Sequence, residues 1–202
     1  GINLIEGVRL INKYYPNYDP DSLYDGKKQE YYSLEMILNS LEEYTFQKEF
    51  FKILIFDFLI GNTDRHQNNW AILQGGESAR LCPLYDNGSS LCCYILESKL
   101  DGYLGNDKVR FQSLVDTKSK SRIRIDKNNA REPRHLEMLE HLKCNYYSDI
   151  IDIVKTVAYN LNIVSIDSVL KPYSFVISEK REALIKKFLM EKVNLMKKKF
   201  NL

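Results

Sequence analysis

The sequence predicts an α+β fold that is mostly α-helical and carries one small β-hairpin. Three observations predict it. Apolar residues recur at helical spacing in most of the long segments. Only residues 70–84 read as two strand-like runs around a short glycine-bearing turn. Between an intensely apolar segment and that hairpin lies a polar run, Gly61-Asn62-Thr63-Asp64-Arg65-His66-Gln67-Asn68-Asn69.

The elements follow in chain order. Residues 2–15 place Leu4, Ile5, Val8 and Ile11 at helical spacing, and Pro16 ends the segment. Residues 16–29, rich in Asp, Asn, Pro and Gly, have no period and read as a loop. Ser33 is placed to cap a helix through Tyr44, with Leu34, Ile37, Leu38 and Leu41 on one face. Thr45 is placed to cap the next helix, residues 46–60. That helix is apolar nearly all round and is expected to be buried on most sides. Gly61-Asn62 stops it.

Residues 70–74 and 80–84 flank Gly75-Gly76-Glu77-Ser78, the hairpin signal. Beyond it, residues 89–95 read as a short strand, residues 97–104 as a helical turn, and residues 118–127 as a basic alternating stretch. Pro133 starts a helix through Leu142, Ser148 another through Leu161, and Ser178 caps a long terminal helix. No repeat or linker divides the chain, so residues 1–202 are expected to form a single domain.

Composition narrows the function classes. The 202 residues suffice for one well-buried core. A net charge of +2 provides no bulk attraction to nucleic acid or membrane, so neither is an expected partner. No segment approaches the ~18 apolar residues of a spanning helix. Cys82, Cys92, Cys93 and Cys144 lack metal-ligand spacing and read as reduced thiols, with Cys92 and Cys93 on opposite faces of a strand. His135, His141 and Cys144 lack a further ligand at zinc spacing and read as ordinary helix residues. No signal peptide is visible, the expected compartment is the cytoplasm, and Gly1 reads as a boundary with sequence before it.

The chemistry-bearing residues flank the hairpin. Asp64 and Asn69 lie in the loop entering its first strand, and Asp86, in Leu84-Tyr85-Asp86-Asn87-Gly88, follows its second. The two ends of a hairpin away from its turn are neighbours, so Asp64, Asn69 and Asp86 are expected to converge. Two carboxylates and an amide make a hard-oxygen set suited to Mg²⁺ and poor for zinc. Phosphoryl transfer needs these parts: Asp64 to accept a hydroxyl proton, and Asn69 and Asp86 to hold Mg²⁺ against nucleotide phosphates. His66 has two candidate roles, donating to a developing phosphoryl oxygen or holding the loop through a backbone hydrogen bond. Arg65 neutralises either a phosphate or a carboxylate. Asp57, inside the apolar helix, needs a partner and is expected to brace the loop through backbone N–H groups or Arg65.

The run 61–69, followed by Pro83-Leu84-Tyr85-Asp86-Asn87-Gly88, resembles the catalytic and metal-binding motifs of HipA-like kinases, bacterial serine/threonine protein kinases that include toxins of toxin–antitoxin systems. The Asp-Arg-His-x-x-Asn order is also similar to that of phosphoinositide kinases, but Asp86-Asn87-Gly88 is nearer the HipA-like pattern. The resemblance implies a protein-kinase-like C-lobe, ATP and Mg²⁺ as cofactors, Asp64 as catalytic base, and Asn69 and Asp86 as metal ligands. It also implies a protein substrate, which in this family includes translation enzymes, and an antitoxin as a possible partner. No glycine-rich loop followed by a strand lysine precedes Asp64. Gly26-Lys27-Lys28 follows no strand and reads as a solvated loop. The N-lobe is therefore expected to be absent from this chain or supplied by a partner. Two alternatives remain: a lipid or small-molecule kinase of the same broad fold, and a non-catalytic interaction module.

The basic run Lys118, Lys120, Arg122, Arg124, Lys127, Arg131 and Arg134 reads either as a solvated mobile loop or as a docking segment for an acidic or RNA-bearing substrate. Thr117, Ser119 and Ser121 within it are candidate phosphorylation sites. The terminal helix places Ile185, Phe188, Leu189, Val193 and Met196 on one face, and its Lys/Arg-rich side reads as a solvated face rather than a binding site.

Overall fold

In a computed structural model describing residues 1–202, the chain folds as nine α-helices with two small antiparallel sheets. The first departure from expectation comes at once. Residues 2–6 are not helical: β1 (Asn3–Glu6) is a strand, and α1 (Gly7–Tyr14) begins only after it. Leu4 and Ile5 fit either period, and pairing with the hairpin decides the matter, with Leu4 opposite Leu73 and Ile5 opposite Ile72. Leu4, placed on the expected helix face, is half exposed.

The segment read as a loop, residues 16–29, holds the first two strands of the second sheet, and the third follows it. The sheet's strands β2 (Tyr18–Asp19), β3 (Tyr24–Asp25) and β4 (Glu30–Tyr31) are two residues each, too short to show a period. Tyr24 and Tyr31 pack across it with ring centroids 4.7 Å apart.

Ser33 caps α2 (Leu34–Leu41), its Oγ accepting from the Met36 amide at 3.3 Å, and a 3₁₀ turn (Glu42–Tyr44) completes the expected length. Thr45 does not cap the next helix. It closes the 3₁₀ turn in the left-handed region (φ 56°), which removes it from the extended geometry an N-cap needs. Helix α3 (Gln47–Ile60) begins behind Phe46 with no side-chain cap. Losing a cap costs about 1 kcal/mol. Each fully buried large apolar side chain contributes about 1.5–3 kcal/mol, and α3 buries eight, from Phe50 to Ile60, so packing outweighs the cap. Gly61 ends the helix at φ 66°.

The hairpin pairs β5 (Ala71–Gly75) with β6 (Ser78–Leu81), Gly75 facing Ser78 across a turn with Gly76 at φ 57°. Strand β6 begins at Ser78, two residues before the expected start, and ends at Leu81, ahead of Pro83, which cannot donate to the ladder. The larger sheet runs β1-β5-β6. Trp70, just before β5, is buried edge-on to Phe50 at 5.2 Å and donates from its indole to the Tyr32 hydroxyl at 2.9 Å. Gly7 bonds the Trp70 carbonyl at 2.9 Å. A Cβ at Gly7 would collide with the indole and stand 2.6 Å from the Gln67 carbonyl oxygen, so only glycine permits this approach.

Residues 89–95 are not a strand, because Leu91 (φ 50°) and Cys92 (φ 64°) are both left-handed. Cys92 is buried and Cys93 exposed, but as neighbours in a turn. A 3₁₀ turn (Glu97–Lys99), α4 (Asp101–Leu104) and α5 (Lys108–Val115) follow. Then come α6 (His135–Asn145), α7 (Tyr147–Asn160), α8 (Ile163–Leu170) and the terminal α9 (Glu179–Phe200), capped by Ser178 Oγ, which accepts from the Arg181 amide at 3.1 Å. Helix α3 is the central post, packed against α6, α7 and α9. The terminal helix buries the apolar face its spacing predicts, with Ile185, Phe188, Val193 and Met196 out of solvent, and the departure is Lys192, buried with them.

No single helix is long and apolar enough to cross a membrane. Residues 147–173 pass such a test only as a pair of segments bent by 79°.

Candidate active site

The polar run after α3 is organised by Arg65. Its guanidinium is 1% exposed and spends all five N–H donors. Nε donates to Asp57 Oδ2 at 3.0 Å and Nη2 to Asp57 Oδ1 at 2.8 Å. Nη1 donates to the carbonyls of Asn69 at 2.8 Å and Tyr85 at 3.1 Å, and Nη2 reaches Asn87 Oδ1 at 2.6 Å. Of the two partners left open for Arg65, it has the carboxylate, and it retains no donor for a phosphate. One side chain thus joins the helix before the loop, the end of the loop, and both neighbours of Asp86.

Asp57 lies on the last turns of α3, where the helix packs against the core. Burial pushes its carboxyl upward, and Arg65 and Asn62 oppose that by bonding the anion. Asn62 Nδ2 donates to Asp57 Oδ1 at 3.0 Å, while Asn62 Oδ1 accepts the Asp64 amide at 3.1 Å. Asn62 therefore transmits the position of Asp57 to Asp64.

Asn69 closes the loop from the other side. Its Nδ2 donates to the Asp64 carbonyl at 2.7 Å, and its Oδ1 accepts no hydrogen bond from the protein. Asp86 sits at φ 50°, between the two residues that Arg65 holds. Its carboxylate is exposed, with neither an ion pair nor a hydrogen bond. The structure so brings the backbones of Asp64, Asn69 and Asp86 to the open end of the hairpin.

An uncommitted amide oxygen and an uncommitted carboxylate fit Mg²⁺, which takes few protein oxygens and keeps water or phosphate for the rest. No group of three or more His, Cys, Asp or Glu side chains is arranged to hold a metal, so there is no closed protein cage.

His66 Nδ1 accepts the Asn68 amide at 3.2 Å, so this nitrogen serves the loop. Gln67 ties the loop to the small sheet, accepting from the Tyr18 hydroxyl at 3.0 Å and donating to the Pro20 carbonyl at 3.1 Å.

The Asp64 carboxylate is partly exposed and meets Arg122, whose Nε lies 3.3 Å from Oδ1. Glu132 holds the other side of that guanidinium at 2.8 Å, and it does more than Asp64 to stabilise the charge. This contact was not foreseen: 58 residues separate the partners, and no local pattern marks it. It also corrects the view of the basic run as a solvated mobile loop. Ile123 and Arg124 are buried, Lys127 pairs with Glu30 and Glu35, and Lys120 bridges Arg134. Ser119 and Ser121 are each 4% exposed, so neither hydroxyl is open to modification in this conformation.

Below the loop lies a buried polar chain that sequence reasoning missed. Lys192 donates to Ser119 Oγ at 2.8 Å, which leaves that hydroxyl to donate to His135 Nδ1 at 2.9 Å. The Lys192 ammonium also faces the rings of Phe58 and Phe188, at 4.7 and 5.3 Å. Burial pushes Lys192 down to about 7 and His135 down to about 3.

A family model described as the HipA-like C-terminal domain matches residues 15–161. No curated protein matches the sequence. Among solved structures, the chain is similar to a Helicobacter pylori proinflammatory kinase, CtkA, with a TM-score of 0.78 and 18% identity, over 99% of this chain and 69% of that one. At this identity the likeness shows the fold: a mostly helical, kinase-like architecture of the C-lobe type with small sheets.

Proposed function

Because the chain belongs to the HipA-like C-terminal domain family, we propose that it carries the catalytic face of an ATP- and Mg²⁺-dependent kinase that phosphorylates a serine or threonine hydroxyl of a protein. One observation carries the reading. The Arg65 hub gathers Asp64, Asn69 and Asp86 at the hairpin's open end and leaves Asn69 Oδ1 and the Asp86 carboxylate uncommitted.

In this reading Asp64 orients the acceptor hydroxyl and takes its proton. Its backbone is fixed from both sides, by Asn62 at the amide and by Asn69 at the carbonyl, so the carboxylate is presented without a reorganisation cost. Asn69, through Oδ1, and Asp86, through its carboxylate, would hold Mg²⁺. The metal, when bound, neutralises charge on the transferring phosphoryl oxygens. Arg65 acts only through the residues it positions. His66 shapes the loop, and its Nε2, bonded to nothing in the protein, is the ring atom open to a phosphoryl oxygen. Arg122 must yield the Asp64 carboxylate, or share it, when an acceptor hydroxyl arrives.

Calorimetric titration of ATP, with and without Mg²⁺, tests the metal assignment in the longest natural chain that contains these residues. Binding is expected to require Mg²⁺, and the Mg²⁺-dependent binding is expected to be lost in Asp86→Asn. Mg²⁺-dependent binding that persists unchanged in Asp86→Asn removes Asp86 from the metal role.

A further inference from the structure

Beside Asp64 is a cavity of about 480 Å³ that the proposed chemistry does not use. It is framed by Thr63 of the catalytic loop, by the segment after Asp86, and by residues 118–122. Two of its lining residues adjoin Asp64: Arg122 bonds its carboxylate, and Thr63 precedes it in the chain.

The charges around it are unbalanced. Lys118, Lys120 and Arg122 line the cavity, and Glu132 is the one carboxylate among its walls. Glu132 is already engaged with Arg122 at 2.8 Å. Lys118 and Lys120 are exposed and make no ion pair, no side-chain hydrogen bond and no ring contact. A cation that neither pairs nor packs is available to an incoming anion.

The segment that displays these cations is fixed. Ser119 and Ser121 turn inward and are buried, while Lys118, Lys120 and Arg122 stand outward. The backbone is bonded to the start of α6: the Ser121 amide to the Pro133 carbonyl, and the His135 amide to the Ser119 carbonyl, both at 2.8 Å. Behind Ser119 stands the buried Lys192, whose amino group holds the Ser119 hydroxyl at 2.8 Å and so helps to fix the segment from below. The remaining walls include Ile95, Leu114 and Phe188, surfaces suited to an aliphatic stem.

Resting on the kinase reading, we propose that this cavity is a specificity site for an anionic side chain of the substrate polypeptide, held by Lys118 and Lys120 next to the acceptor hydroxyl. An anion there also competes with Asp64 for Arg122, so the substrate that fits the site helps to free the base. A carboxylate and a phosphate share this chemistry, and either belongs to a residue beside the acceptor.

The test is peptide binding by fluorescence anisotropy without nucleotide, which reads the site independently of phosphate transfer. Three labelled serine peptides are compared, flanked by glutamates, by phosphoserine, or by glutamines. The wild type is expected to bind one or both anionic peptides roughly five- to tenfold more tightly than the glutamine peptide, as two exposed ion pairs allow. The tighter of the two identifies carboxylate or phosphate as the source. The variant Lys118→Ala/Lys120→Ala is expected to bind all three alike, with its thermal midpoint and its affinity for the glutamine peptide unchanged. Equal binding of all three peptides by the wild type, or a preference that survives in the double variant, overturns the proposal. Anion preference without phosphate transfer leaves this site standing and removes the kinase reading; transfer without preference does the reverse.

Discussion

Arg65 and Asp57 form a two-point ion pair with both side chains almost fully removed from water, Nε to Oδ2 at 3.0 Å and Nη2 to Oδ1 at 2.8 Å. The pair joins the last turns of the central helix to the loop that carries Asp64. Removing one member of such a pair leaves a buried charge without its counter-ion, which costs about 3–5 kcal/mol. Asp57→Ala is therefore expected to lower the unfolding free energy, read from urea denaturation, by an amount in that range. Arg65→Lys is expected to be nearly as damaging, because a lysine has three donors where the site uses five. A loss below about 1 kcal/mol in both variants, within the range of an exposed pair, contradicts the hub.

Gly61 sets the direction in which the chain leaves α3. It combines φ 66° with close contact, since a Cβ there would stand 2.8 Å from Phe188 Cζ. Gly61→Ala is expected to cost about 2 kcal/mol, strain and crowding together. Gly76→Ala in the hairpin turn is the comparison: φ is 57°, but nothing lies within 4 Å, so only the strain of about 1 kcal/mol remains. Chemical denaturation of both variants measures the difference. Equal losses would mean that Phe188 yields freely.

Lys192 gives the fold a pH signature. Burial holds its folded value near 7 against an ordinary 10.5, with Asp116 and Cys92 acting in the opposite sense. Between those values the unfolded chain carries a proton that the folded chain does not. Stability therefore rises with pH across this window from this group. Lys192→Met keeps the volume and removes the titration. Thermal midpoints from pH 7 to 10 are expected to climb less steeply in the variant than in the wild type. Parallel profiles would show that Lys192 keeps its proton in the folded state.

What the sequence revealed depended on distance along the chain. Helix α3, its stop at Gly61, the caps Ser33 and Ser178, and the hairpin about Gly76 each rest on residues within a few positions of one another, so periodicity and turn chemistry suffice. The grouping of Asp64, Asn69 and Asp86 was legible for the same reason, because a hairpin returns the chain to its start. Strand β1 was not, since Leu4 and Ile5 satisfy two periods and the choice belongs to β5. The small sheet was not, since two-residue strands have no period. Asp64–Arg122 and Lys192–Ser119 were out of reach, because they join residues 58 and 73 positions apart. A lysine on a Lys-rich helix gives no sign that it alone is buried.

The central claim is that Asp64 takes the proton of an acceptor hydroxyl. Asp64→Asn keeps the loop geometry, since the backbone amide and carbonyl make the loop's bonds, and it removes the base together with the exposed Arg122 ion pair, which adds little to stability. The direct measurement is phosphate incorporation into protein from radiolabelled ATP with Mg²⁺, using the longest natural chain that contains these residues. The wild type is expected to transfer phosphate, and Asp64→Asn to lose about 10²–10⁴-fold in rate with its thermal midpoint unchanged. Equal incorporation by the two proteins, or none by the wild type, contradicts the assignment.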